Sequence, residues 1–351
     1  MKTLRAVLAP LALLLLVSPA LAHVPTFPAD NTSPDRAVVV PDAAKSWSFY
    51  DRLERGQVRY YRFSLEAGQQ LRVGTFTPAA SGFTPGFVLL SPAIEGSDDV
   101  PEGVVVPEGM GALVLPGERP ESASYEPFGP SANYPTADLD RPVETDTTYL
   151  LAVYEPANRT GQVGVALGYR EQFSPTEYLT VPFDLVQTHV WEGQSPLLVY
   201  GPWLVTLLGG VALAWRREYE GLARPFAKWL GVAALLVVGT GVSAAMQMGL
   251  ALAKTGPTAG ALVTAVFVAV PVLGGGWVLW RLRAGLELTV RTRVGLAFVG
   301  VTALVTWAGF LAAPAVVLLA AVVPARLLEP RPADDGANPF ENRERGTFDR
   351  N

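Results

Sequence analysis

Residues 58–76, VRYYRFSLEAGQQLRVGTF, decide the fold of the first half of this chain. Apolar and polar residues alternate at both ends of the stretch, and the segment EAGQ between them is typical of a turn. Alternation with a period of two is the pattern of a β-strand that is buried on one face. The stretch therefore predicts two strands joined by a tight turn.

Similar short runs continue on both sides of this stretch. They are FVLL (87–90), GVVV (103–106), ALVL (112–115), TYLLAVY (148–154) and GQVGVALGY (161–169), and glycine and proline punctuate the segments between them. Short strands separated by turn residues are typical of an antiparallel sandwich. We expect such a β-sandwich over residues 23–188.

Two longer segments carry a resemblance to a known family. SWSFYDRLERGQVRYYRFSLEAGQQLRV (46–73) and TTYLLAVYEPANRTGQVGVALGY (147–169) resemble the bacterial pre-peptidase C-terminal domain and similar jelly-roll modules. The resemblance covers residues 46–170, and it implies a jelly-roll-like sandwich with a non-catalytic accessory or binding role. The insert 116–147 departs from a minimal module, and we expect it to form a large ordered loop over one end of the sandwich.

The second half of the chain contains four long uncharged runs, at about 197–215, 229–253, 258–280 and 294–323. Each run has at least 19 residues, which is enough to cross a bilayer as a helix. The predicted fold class is thus an α+β multi-domain membrane protein. An antiparallel, jelly-roll-like β-sandwich is followed by a juxtamembrane linker at 189–195 and a four-helix transmembrane bundle at 196–323.

The last of these runs has 30 residues and contains Pro314. We expect one long, kinked helix, which would put the polar tail 324–351 outside the cell, and we expect this tail to be disordered. The alternative is a broken, re-entrant pair of helices that keeps the tail inside.

The start of the chain predicts export. Lys2 and Arg5 precede a short apolar run, and Ala20-Leu21-Ala22 ends it, as in a secretory signal peptide over residues 1–22. The loops 216–228 and 281–293 hold four basic residues each, and basic loops stay in the cytoplasm. Both signals predict a multi-pass cell-membrane protein whose N-terminal domain is extracytoplasmic.

Charge and composition narrow the classes of function. Residues 23–195 carry 23 acidic against 11 basic side chains, which argues against nucleic-acid binding. The absence of cysteine excludes disulfides, iron–sulfur clusters and thiolate metal sites. The chain has two histidines and none of the common catalytic motifs, so we expect no enzymatic activity.

Cleavage after Ala22 would make His23 the first residue of the mature protein. Its α-amine and its imidazole can then chelate one metal ion, and nitrogen ligands of this kind suit copper(II). Further ligands would be needed, and the sequence offers His189, a carboxylate, or the methionines Met110, Met246 and Met248. The alternative is that the histidine is an incidental result of cleavage.

Carboxylates in the insert suggest a second metal. Asp138, Asp140, Glu144 and Asp146 provide oxygen ligands of the kind that calcium prefers. Their spacing is not that of an EF-hand, so a solvated acidic loop is the alternative.

We therefore expect a membrane-anchored, extracytoplasmic, non-enzymatic binding or sensing protein, with copper as the hypothesised ligand. Its expected partners are the lipid bilayer and either an envelope protein or a metal ion. One alternative is a small transporter or permease subunit with an outer solute-delivery domain, because Pro271, the glycines at 274–276 and Pro314 can open helices along a path. Another is a structural protein of the cell envelope.

Overall fold

The structure, a computed structural model, describes residues 23–78, 82–97, 99–214 and 224–328. The predicted signal peptide, most of the loop 216–228 and nearly all of the predicted tail lie outside these residues. Within them, a β domain comes first and a helical part follows.

The β domain consists of two mostly antiparallel sheets, as the alternating pattern predicts. One sheet has the order β1 (Val24–Thr26), β3 (Trp47–Leu53), β11 (Gly161–Leu167), β5 (Gln70–Thr77), β9 (Ser131–Pro142) and β8 (Ser124–Glu126). The other has the order β2 (Val38–Val39), β4 (Arg59–Leu65), β10 (Thr147–Tyr154), β6 (Gly86–Ser91) and β7 (Gly111–Leu115). The short strands β1 and β2 pair in parallel with β3 and β4.

The main core lies between the two sheets. In β4, Tyr61, Phe63 and Leu65 are buried there, whereas Arg62 and Ser64 between them are exposed. The turn after β4, where Gly68 has a positive φ of 85°, carries the chain into the opposite sheet as β5. Because each fully buried leucine or phenylalanine contributes about 1.5–3 kcal/mol, this inter-sheet core holds the domain together without disulfides.

The insert 116–147 differs from the expected loop, because nearly half of it forms β8 and β9. From Tyr134 to Pro142, β9 pairs with the whole of β5, and the register shifts between Thr75 and Phe76. Pro135 lies at this irregularity, which is a place where a sheet tolerates a residue without an N–H group. The insert therefore contains a long strand, although its proline-rich composition favours a loop.

The helical part contains α1 (Pro175–Trp191), α2 (Pro196–Ala214), α3 (Arg224–Thr255), α4 (Gly260–Arg283), α5 (Val290–Val305), α6 (Ala312–Val322) and the short α7 (Ala325–Leu328). Three of these helices, α2, α3 and α4, are long and apolar enough to cross a membrane. They agree with the first three predicted runs. α1 begins with a capping box in which Ser174 and Glu177 satisfy each other's backbone N–H groups.

The fourth predicted run is not one long helix. The chain turns between α5 and α6, where Trp307, Gly309 and Phe310 all have positive φ angles. Arg293, in the first turn of α5, donates hydrogen bonds to the carbonyl oxygens of Ala321 (2.8 Å) and Val323 (2.7 Å) at the end of α6. The two helices are therefore antiparallel, and we call α5, α6 and the turn between them the hairpin.

Two local features explain the turn. Pro314 lies in the first turn of α6, where a missing N–H group costs no helical hydrogen bond, so it begins a helix instead of kinking one. Gly309 adopts the left-handed conformation (φ 75°) that glycine tolerates best. With this turn, the end of α6 returns to the same end of the helical part as the basic residues at the start of α5.

Candidate functional site

The β domain rests on the helical part through specific polar contacts. The turn between β8 and β9 reaches α4, where the hydroxyls of Tyr125 and Thr264 are 2.7 Å apart and Thr264 also donates to the carbonyl of Pro127 at 2.7 Å. The indole N–H of Trp191, at the end of α1, donates to the carbonyl of Asp51 in β3 at 2.7 Å. These bonds fix the β domain on the helices.

Two further contacts join α1 and the segment after it to the bundle. The side-chain amides of Gln194 and Gln247 exchange two hydrogen bonds of 2.8 Å each. The hydroxyl of Tyr178 in α1 donates to the carbonyl of Leu304 at 2.7 Å, and the indole of Trp307 donates back to the carbonyl of Tyr178 at 3.2 Å. The tip of the hairpin is thereby held against α1.

A cavity of about 240 Å³ lies at this junction. Its walls come from β1, β3, β5, β8, β9, α1 and the tip of the hairpin, so neither half of the chain forms it alone. Many of the lining side chains are aromatic: Tyr50, Phe76, Tyr125, Phe128, Phe173 and Trp307. We call this space the junction cavity.

A second cavity of about 100 Å³ lies between the helices. It shares Phe128, Leu185 and Trp307 with the junction cavity, and Ser243 and Gln247 of α3 provide polar groups in its wall. The two cavities therefore lie side by side, with these shared side chains between them.

Glu126, at the end of β8, is one of the carboxylates that line the junction cavity. One of its oxygens accepts a hydrogen bond from the N–H of Phe128 at 3.1 Å. Burial, with a smaller contribution from the charge of Glu171, raises the pKa of Glu126 to about 7. Glu126 can therefore gain or lose a proton near neutral pH.

His23 also lines the junction cavity, just before β1. The adjacent N–H of Val24 donates to the carbonyl of Ser46 at 2.9 Å, and Nδ1 of His23 is 2.5 Å from the hydroxyl oxygen of Ser46. Burial lowers the pKa of His23, so its ring is neutral near pH 7. The residue that the sequence analysis selects as a metal ligand thus lies in the wall of the main cavity.

The other residues of the copper hypothesis lie elsewhere. His189 lines the second cavity, where its Nδ1 is 3.3 Å from a carboxylate oxygen of Glu192. Met110 packs against the face of the five-stranded sheet that is turned away from the main core. Met246 and Met248 flank the buried Gln247 in α3. Among the described residues, no group of three or more histidines and carboxylates could hold a metal ion.

The four carboxylates of the calcium hypothesis have separate surroundings. Asp138 lines the junction cavity, and Asp140 forms an ion pair with Arg72 at 2.7 Å. Asp146 accepts a hydrogen bond from the N–H of Ala67 at 2.8 Å, and Glu144 is exposed. In the structure, these four carboxylates do not lie together in a group that could hold a calcium ion.

Sequence reasoning did not select Glu126 or Trp307, although both line the junction cavity. The signal for Glu126 is its position within SYEPFGP (124–130), where one acid stands among aromatic residues and prolines. Compared with known proteins, the chain matches no family model and no curated protein.

Proposed function

We propose that this protein is a membrane-anchored, extracytoplasmic, non-enzymatic binding or sensing protein whose ligand occupies the junction cavity. One observation carries the proposal: the cavity is lined jointly by the β domain and the helical part. Small-molecule sites occur preferentially where two structural units meet. The jelly-roll arrangement of the strands and four membrane-spanning segments belong to the same proposal.

A ligand in this cavity would contact both parts of the protein at once. Tyr50 and Phe76 contribute from the β domain, while Trp307 contributes from the hairpin. A ligand that binds one relative arrangement of these parts more tightly shifts the population toward it. Occupancy of the cavity is thereby linked to the position of the hairpin, which is the physical requirement for sensing.

The orientation of the protein is supported by its charges. Arg281 and Arg283 end α4, and Arg291 and Arg293 begin α5, at the end of the helices remote from the β domain. Basic residues favour the cytoplasmic side. Together with the predicted signal peptide, this favours an extracytoplasmic β domain.

Copper is the first ligand to test. In the mature protein, the α-amine and the imidazole of His23 would bind the ion at the wall of the junction cavity. A chelate through Nδ1 displaces the hydroxyl of Ser46, and this costs about 0.5–1.5 kcal/mol, which a copper–nitrogen bond readily offsets.

The experiment combines intact mass with copper retention. The full-length protein, purified in detergent from an exporting host, is weighed and then exposed to one equivalent of copper(II) and a competing chelator. We expect loss of residues 1–22 and retention of copper in the wild type and in the control variant His189→Ala, but not in His23→Ala. An uncleaved chain, or equal retention by wild type and His23→Ala, would remove copper from the proposal.

The transport alternative has less support. Pro271 is buried within a continuous α4, and a Cβ atom on Gly275 would lie 2.8 Å from the carbonyl oxygen of Ala234 in α3. Glycine here allows two helices to pack closely, which is its usual role in helix contacts. Transport and a purely structural role remain predictions, and a flux assay in liposomes addresses the first of them.

A further inference from the structure

We infer that the junction cavity binds a small organic cation, with Glu126 as the counter-ion and the aromatic side chains around the charged group. This inference rests on the proposed function, because it names the ligand class of the same cavity. Three properties of the cavity support it: the charge of its wall, its aromatic surface and its size.

The described side chains of the wall offer negative charge without a lysine or arginine to balance it. Elsewhere in the β domain, the buried acids have basic partners: Asp51 pairs with Arg59 at 3.1 Å, and Glu155 pairs with Arg159 at 2.5 Å. Among the described residues that line the junction cavity there is no lysine or arginine. A buried carboxylate without a cation is unfavourable, so a ligand that supplies the positive charge is favoured over a neutral or anionic one.

The aromatic walls favour the same ligand. The π faces of tyrosine, phenylalanine and tryptophan attract ammonium groups, and the attraction grows when water is excluded. Tyr50 and Phe76 are held in place by edge contacts with Trp191, at 4.9 Å and 6.0 Å between ring centroids. Trp307 is fixed by its hydrogen bond to Tyr178. The rings are therefore positioned before a ligand arrives, which reduces the entropy lost on binding.

The size of the cavity limits the ligand. Its volume of about 240 Å³ is below the roughly 300–1,000 Å³ of sites for drug-sized molecules. A compact amine or quaternary ammonium ion fits this description better than a peptide or a lipid headgroup with its chains.

Binding of a cation would be coupled to the proton on Glu126. The raised pKa of this carboxyl means that it is partly protonated at pH 7 when the cavity holds no cation. The other titratable groups around it are His23 before β1, Tyr50 in β3, Tyr125 in β8, Asp138 in β9, Glu171 after β11 and Glu192 after α1. None of these is a fixed cation, so a ligand cation favours ionised Glu126, and affinity rises between pH 6 and pH 8.

The test uses two probes of the same shape. Choline carries a quaternary nitrogen, and 3,3-dimethylbutan-1-ol has a neutral carbon at the same position. Binding of each probe to the full-length protein is measured by titration calorimetry at pH 8 in an uncharged maltoside detergent. The variants are Glu126→Gln, which can keep the hydrogen bond from Phe128, and Glu121→Gln, which removes an exposed acid from the same segment.

We expect the wild type and Glu121→Gln to bind choline at least about tenfold more tightly than the neutral alcohol, and Glu126→Gln to lose this preference. A melting curve of each variant verifies that it is folded. Equal affinity for both probes would overturn the cation inference while leaving the cavity as a binding site. A preference that survives in Glu126→Gln would overturn the role of this carboxylate. Failure of both probes to bind would overturn the inference, and the copper experiment would then decide whether the proposed function fails with it.

Discussion

Replacing Glu126 by glutamine should stabilise the protein at high pH and leave its stability unchanged at low pH. In the folded state the pKa of this carboxyl is about 7, against 4.5 for an unperturbed glutamate, because burial disfavours its charge. The folded protein therefore binds more protons than the unfolded chain between these two values, and its stability falls as the pH rises through them.

The magnitude follows from the difference of about 2.5 between the two pKa values. Each pKa unit corresponds to about 1.36 kcal/mol, so ionised Glu126 lowers the free energy of unfolding by about 3 kcal/mol above pH 7. Below about pH 4.5 the carboxyl is neutral in both states, and this cost disappears. Glutamine carries no charge and can accept the same hydrogen bond from Phe128, so it avoids the cost at every pH.

The assay is thermal unfolding of the full-length protein in detergent at several pH values from 4.5 to 8.5. We expect Glu126→Gln to melt roughly 6–12 °C above the wild type at pH 8 and at the same temperature near pH 4.5. Glu121→Gln is the matched control, because its carboxylate is exposed, and it should track the wild type. A difference between Glu126→Gln and wild type that does not change with pH would refute the argument.

Two further predictions concern the junction and the helix packing. Replacing either Gln194 or Gln247 by leucine should cost about 1–3 kcal/mol, because the partner amide loses two hydrogen bonds of 2.8 Å. The double variant should cost less than the sum of the two, and additive losses in thermal unfolding would contradict the pairing. Gly275→Ala should cost about 1–3 kcal/mol through its clash with Ala234, whereas Gly276→Ala, with no atom within 4 Å of the new Cβ, should be neutral or slightly stabilising in the same assay.

The sequence predicts best those elements whose signal is local. Alternation places Tyr61 and Phe63 in the core and Arg62 at the surface, and uncharged length identifies α2, α3 and α4. The local sequence pattern does not identify β9, because Pro135 interrupts an otherwise strand-like segment. Its tolerance of proline depends on a register shift against β5, which is a property of the paired strands and not of β9 alone.

The site is less predictable because its chemistry is assembled from distant segments. His23 can be singled out by its position after a cleavage motif, but its neighbour in space, Ser46, is supplied by the segment before β3. Glu126 is one acid among many in an acidic domain. Only the tertiary structure shows that it faces a cavity without lysine or arginine among the described lining residues.

The turn of the hairpin departs from the helix that the sequence predicts, and it also shapes the junction cavity. A continuous helix over residues 294–323 would be about 45 Å long and would carry Trp307 near its middle, as one more apolar residue in a bundle. The turn instead places Trp307 in the wall of the junction cavity, with its indole bonded to Tyr178. The departure from regular helix is thus the feature that completes the cavity. A ligand in the junction cavity would therefore contact the turn of the hairpin, whose other end is held by Arg293. Under the proposed sensing function, we expect binding to be transmitted through movement of the hairpin.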